Sequence, residues 1–195
     1  MKVWDLSTAT CAFSHNLSET IVDTIKWDLV SDSVLITASD DGHIRVSDIR
    51  SSKEVSSFKF DHKIENFSAD PMNPTQIHAS FENGHIGAID LKAGAKPLYD
   101  VAVSSKAVTS ISLSSTLAGM ICTSGLDGAM NVYNFKQGGK PTFVCREFAN
   151  QGHLFGGAFS PDNELLYCCG SSKGEVVVWT MEDNKSIKDA FGIAK

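Results

Sequence analysis

The ten residues Ser39-Asp40-Asp41-Gly42-His43-Ile44-Arg45-Val46-Ser47-Asp48 return three times, with changed side chains and one pattern. The copies are Phe81-Glu82-Asn83-Gly84-His85-Ile86-Gly87-Ala88-Ile89-Asp90, Gly125-Leu126-Asp127-Gly128-Ala129-Met130-Asn131-Val132-Tyr133-Asn134 and Ser171-Ser172-Lys173-Gly174-Glu175-Val176-Val177-Val178-Trp179-Thr180. Each holds a turn ending in Gly, then an alternating apolar strand. Five residues beyond the Gly stand Ser47, Ile89, Tyr133 and Trp179. Val3-Trp4-Asp5-Leu6 matches only the end of the pattern, and from Trp4 onward the intervals are 43, 42, 44 and 46 residues. Gly reaches positive φ without a Cβ clash, so two strands can reverse tightly there. Ile44 and Val46, Ile86 and Ala88, Met130 and Val132, and Val176 and Val178 then lie two apart, on one face of a strand.

A period in the low forties with a turn, a strand and a Trp-Asp ending resembles the WD40 repeat, whose units are blades of a β-propeller. The resemblance covers nearly the whole chain. It implies an all-β fold, an incomplete arc of about four blades plus a half blade, with the half blade at 1–15 and blades at 16–60, 61–103, 104–148 and 149–195. Strands are predicted at Lys2 to Leu6 and Thr10 to Ser14, then four per blade, the last at Ser186 to Phe191. No segment of ten or more residues has a 3.6-residue apolar period. In WD40 repeats an Asp six places before the Trp joins a hydrogen-bonded network with a Ser or Thr, a His and the indole. Asp41, Asn83, Asp127 and Lys173 occupy that place here, and no repeat keeps both Asp and Trp. Apolar contact must therefore carry more of each blade. Gly152-His153 matches the family's Gly-His pair, while His15 and His62 stand in comparable connections without the Gly. A truncated arc exposes an apolar blade face at each end, so the chain reads as part of a larger propeller. Its other blades would come from the same polypeptide, a partner or a second copy.

The apolar fraction of 42% is that of a globular chain. Net charge is −6, with Lys and Arg scattered singly. Nucleic-acid binding calls for a basic stripe, so direct contact with nucleic acid is not expected. Cys11, Cys122, Cys145, Cys168 and Cys169 are odd in number and unpaired in pattern, which suits a reducing compartment and small buried side chains. Cys168 and Cys169, adjacent in a strand, point to opposite faces. No secretory signal opens the chain and no apolar run approaches the ~18 residues of a membrane span. The expectation is a soluble, intracellular protein.

No catalytic constellation stands out. His43 and His85 each follow a turn Gly, but neither has a Cys or second His at metal-site spacing. They read as structural or solvent-exposed, and neither metal nor cofactor is expected. No Gly-x-Ser-x-Gly elbow is present. Gly138-Gly139-Lys140 lacks the distant Gly and the following Ser or Thr of a phosphate loop and reads as a hairpin loop. Asp40-Asp41 and Glu182-Asp183 fall in turns, where carboxylates are common. Asp48-Ile49-Arg50 stands where some WD40 proteins carry Trp-Asp-x-Arg, resembling the docking signature of cullin-ring ubiquitin ligase substrate receptors. Ser47 replaces the Trp, and Arg50 paired with its own blade's carboxylate is the preferred alternative.

Loops on one rim of rigid blades display side chains to partners. The candidate contact residues are His15, Asn16, His62, Lys63, Lys106 and His153, then Asp41 and Asp127, with Arg50 as the adaptor contact of the ligase alternative. Within the WD40 family, several stretches are similar to the periodic tryptophan proteins of ribosome biogenesis. They are Val3-Trp4-Asp5-Leu6 with Phe13-Ser14-His15, Lys26-Trp27, Asp70-Pro71-Met72-Asn73-Pro74, Asn83-Gly84 with Ile89-Asp90-Leu91, and Val108-Thr109-Ser110-Ile111-Ser112-Leu113-Ser114. That likeness implies a nucleolar scaffold in rRNA processing, with pre-ribosomal particle components as protein partners, no membrane and no catalysis.

Overall fold

Alternating apolar residues between Gly-bearing turns produce short antiparallel strands, and these account for nearly all the regular structure of this computed structural model. It describes residues 1–16, 18–51, 53–94, 96–135 and 139–193. Gly138 of the Gly138-Gly139-Lys140 loop lies outside them. β1 (Lys2–Asp5) and β2 (Thr10–Ser14) form a two-stranded hairpin. β3 (Val22–Trp27), β4 (Val34–Ser39), β5 (His43–Asp48) and β6 (Lys53–Lys59) make the first four-stranded sheet in simple meander order. β7 (Ile64–Ala69), β8 (Gln76–Phe81), β9 (His85–Asp90) and β10 (Tyr99–Ala102) make the second. β11 (Val108–Leu113), β12 (Met120–Gly125), β13 (Ala129–Asn134) and β14 (Thr142–Phe148) make the third. β15 (Leu154–Phe159), β16 (Leu166–Ser171) and β17 (Val176–Thr180) form a three-stranded fourth sheet.

The repeat seen in the sequence is a repeat in three dimensions. Each sheet's first strand slips register near its start, at Val22/Thr24, Ile64/Asn66, Val108/Ser110 and Phe155/Gly157. Bulges at one matching place bend matching strands alike. The first strands also adjoin in series, β3 beside β7, β7 beside β11 and β11 beside β15. Side chains bridge to the neighbouring backbone there. Lys26 Nζ donates to Phe67 O at 2.5 Å, and Thr109 Oγ1 donates to Leu154 O at 2.6 Å.

Three apolar cores fill the three spaces between consecutive sheets. Ile36, Ile44, Val46, Phe58 and Phe60 of sheet one and its exit meet Ile64, Phe67, Ile77 and Phe81 of sheet two. Ile86, Ala88 and Tyr99 meet Ile111, Ile121, Tyr133 and Phe135. Met120, Met130 and Val132 meet Leu154, Tyr167, Cys169 and Trp179. Tyr133 and Trp179, at the Trp position of the repeat, both sit in these cores. β8 and β12 are buried along their whole length because a sheet covers each of their faces. The outermost faces are different. Ile21, Ile25 and Trp27 at one end, and Phe155, Val176 and Val178 at the other, are exposed. Trp4 and Leu6 of the hairpin lean over the first of these faces, leaving a cleft of about 390 Å³ with Ile25, Trp27 and Leu35.

The strand predicted at Ser186 to Phe191 is instead α1 (Lys185–Phe191), a correction with a local cause. The Asn184 side chain accepts from Ile187 N at 3.2 Å and caps the first turn, while Gly192 at φ 68 ends the helix in the left-handed conformation. Ile187 is fully buried, and the helix packs against β13 and β14 rather than pairing with β17. Seven residues are too few for a period count to register. The cysteines are corrected in part as well: Cys122 and Cys169 are buried, whereas Cys11 and Cys168 are exposed. Cys168 and Cys169 do face opposite sides. Among the described residues no helix is long and apolar enough to cross a membrane.

Candidate functional site: the rim that carries the turns

The turn of each copy is tied to the loop ahead of its own sheet's first strand. Asp40 N donates to Ile21 O (3.0 Å), Glu82 N to Lys63 O (3.2 Å), Leu126 N to Ala107 O (2.9 Å) and Ser172 N to His153 O (2.8 Å). The turn glycine in turn accepts from the chain leaving the fourth strand, as Phe60 N to Gly42 O (2.9 Å), Val103 N to Gly84 O (3.0 Å) and Ala149 N to Gly128 O (3.2 Å). Gly84 shows why no other residue fits. Its φ is +85°, and an added Cβ would stand 2.1 Å from Ser104 O. These bonds hold turns and inter-sheet loops on one edge of every sheet.

His62, Lys63, Lys106, His153, Asp41 and Asp127 all stand on this edge. His15 and Asn16 follow β2 at the equivalent point of the separate hairpin, where His15 N and O bond with the Met1 backbone. Several of these candidates are already occupied. Asp41 accepts from Ser39 Oγ (2.6 Å), from His43 N (3.1 Å) and from both terminal nitrogens of Arg45. The Arg45 hydrogen bonds hold its carboxyl well below the usual range. Asp127 accepts from Ser104 Oγ and Ala129 N, both at 3.1 Å. His153 Nδ1 lies 2.6 Å from Leu126 O and donates to it. These three side chains hold the turns in shape. Asn16 and Lys106 are exposed and turn outward.

Lys63 sits among three carboxylates, 2.9 Å from Asp40, 3.8 Å from Asp23 and 3.9 Å from Glu65. The hydrogen bond to Asp40 raises the lysine's pKa. Burial, helped by the adjoining Asp40 carboxyl, pushes Asp23 up to about 6, so below that pH Asp23 and Asp40 share a proton. One cation against three acids leaves this junction of sheets one and two acidic.

A second cluster lies beside it. His85 Nδ1 is 2.7 Å from Asp100 Oδ1, and His62 Nε2 is 3.9 Å from Asp100 Oδ2. The two imidazole centroids are 5.2 Å apart. Sequence spacing hid this arrangement, because 23 residues separate His62 from His85 and Asp100 belongs to a different strand. The register of β9 with β10 makes it: His85 pairs with Ala102 and Gly87 with Asp100, so His85 and Asp100 are diagonal neighbours on one face. Gly87 between them carries no side chain.

Arg50 is on the other edge, just past β5. Its side chain is 71% exposed and its guanidinium bonds Asp48, with Nη2–Oδ2 at 2.7 Å. Pairing with its own sheet's carboxylate is what the structure contains.

No protein-family model matches the chain.

Proposed function

We propose that the four sheets are blades of a WD40-type β-propeller and that the chain is a non-enzymatic protein-interaction scaffold, acting in ribosome biogenesis and rRNA processing in the nucleolus. One observation carries this proposal: the Gly-bearing turn of each repeat and the loop leading into each sheet stand on a single rim, tied together by backbone hydrogen bonds. Such a rim keeps its shape while its outward side chains vary, which is how rigid display recognises partners. Adjoining first strands, bulges at matching places and an apolar core between each pair of sheets support the propeller assignment. The exposed apolar faces at the two ends are surfaces that further blades would cover. The nucleolar role rests on the likeness to periodic tryptophan protein 1 in the stretches quoted above. Asn16 and Lys106 are the rim residues best placed to touch a partner, and the acidic junction around Lys63 favours a basic one.

The test is affinity purification of the tagged chain from growing cells. Recovery of large-subunit precursors, reduced several-fold by Lys106→Glu with Asn16→Ala, is the expected result. Equal recovery with the variant, or no pre-ribosomal component, overturns the assignment. A second function is favoured by the exposed Arg50 head: a substrate receptor of a cullin-ring ubiquitin ligase. Arg50→Ala abolishes adaptor recovery if that holds and leaves it unchanged if Arg50 only pairs with Asp48.

A further inference from the structure

We propose that His62, His85 and Asp100 form a binding site for a divalent transition-metal ion of the zinc class. The three residues come from the loop ahead of β7, the start of β9 and the middle of β10. One ligand atom from each lies within 4.8 Å of the other two. Imidazole nitrogen and carboxylate oxygen bind Zn²⁺ at about 2.0–2.2 Å in near-tetrahedral geometry. Donors around such an ion stand roughly 3.3 Å apart on that geometry. His85 Nδ1 stands 2.7 Å from Asp100 Oδ1 and His62 Nε2 3.9 Å from Asp100 Oδ2, so both imidazoles already face the one carboxylate and small side-chain movements bring the donors to that spacing.

The backbone behind the donors is fixed on all three sides. An added Cβ at Gly42 would stand 2.9 Å from His62 O, so the His62 loop lies hard against the turn of the preceding sheet. The His62 ring also meets Phe81 edge-on at 6.0 Å. His85 and Asp100 are locked by the β9–β10 ladder. The side chains are 32%, 30% and 31% exposed. Water therefore reaches the cluster and completes the coordination. Two imidazoles with one carboxylate select zinc, nickel or cobalt over magnesium or calcium, which prefer all-oxygen sites. An ion here staples β10, a strand of only four residues, to the loop that begins its own sheet.

Titration of the full chain with Co²⁺ at pH 7.5, followed by calorimetry and visible absorption, tests this. Saturable binding of one ion per chain is expected, with ligand-field bands of nitrogen and oxygen coordination and displacement by Zn²⁺. His62→Gln, His85→Gln and Asp100→Asn should each weaken binding by more than roughly tenfold, with the strand circular-dichroism signal retained. Cys11→Ser with Cys168→Ser should leave it unchanged. No saturable binding overturns the site. So does binding that survives a folded ligand variant, or a thiolate charge-transfer band, which would assign the ion to the exposed cysteines.

Discussion

His78 should make the fold acid-sensitive in a way that a single substitution removes. It sits in the middle of β8 with no exposed surface, its ring edge-on to Phe135 at 4.9 Å, and its Nδ1 2.7 Å from the Tyr99 hydroxyl. Nε2 has no partner. An imidazolium there would lose its water without gaining a counter-ion, so burial lowers the pKa from 6.5 to about 3. The unfolded chain takes up this proton near pH 6.5 and the folded chain does not. The contribution is therefore intact above pH 6.5 and drains away as pH falls toward 3. In that window it changes by about 1.4 kcal/mol per pH unit, or about 2 kcal/mol between pH 6.5 and 5. Urea denaturation of the native chain and of His78→Leu at pH 7.5, 6.5, 5.5 and 5.0 measures it. Leu removes the Tyr99 hydrogen bond too, so the absolute stabilities already differ at pH 7.5, by about 1 kcal/mol or more. The decisive quantity is how their difference moves with pH, and it should shift by about 2 kcal/mol in favour of the variant. Parallel curves, or a folded-state His78 resonance titrating near pH 6.5, would refute the reasoning.

Three further outcomes follow from the rim and the helix. Gly84→Ala should cost more than about 3 kcal/mol, whereas Gly174→Ala, at a similar φ of +81° with nothing within 4 Å, should cost only about 1 kcal/mol in denaturant midpoints. Similar losses at both sites would mean that the Ser104 carbonyl moves aside. Asp23→Asn should stabilise the chain at pH 7.5 by about 1 kcal/mol, since a carboxyl raised to about 6 favours folding at low pH and loses that favour as pH rises through 6. A stability curve for this variant parallel to the native one across pH 4–7 would remove the shared proton from the account. Ile187→Ala should cost about 2–4 kcal/mol through the cavity it leaves against the third and fourth sheets, and Asn184→Ala about 1 kcal/mol through the lost cap. Equal, small losses would show that α1 adds nothing to the core.

The sheets were legible because the turn glycine, the alternation after it and the interval in the forties all concern residues close in sequence. Ile44 and Val46 fall on a buried face as their spacing demands. That Asp41 has no indole partner could also be read, from Ser47 at the end of the strand. What Asp41 pairs with instead could not. Arg45, two residues short of that position, turns back onto Asp41 and Ser39 and fills the same turn with a different set of charges. The helix at Lys185–Phe191 escaped for another reason. Two turns give period counting nothing to work on, and only the Asn184 and Gly192 caps betray it.

The site was hidden by a more general limit. A repeat specifies which residues share a strand face, but the length of the connection between strands decides which residues of adjacent strands meet. Asp90 to Tyr99 is a longer link than the turn at Glu82–Gly84, and nothing in its composition sets the β9–β10 register. Asp100 could have fallen opposite His85, Gly87 or Ile89 with equally good alternation. Only the register that pairs Asp100 with Gly87 sets a carboxylate diagonal to His85 with an empty position between them. His62 completes the group from the preceding connection because Gly42 lets that loop close against the turn. The repeat thus builds a rim of nearly constant shape. Its chemistry at each junction depends on a register and a loop that the repeat leaves free to vary.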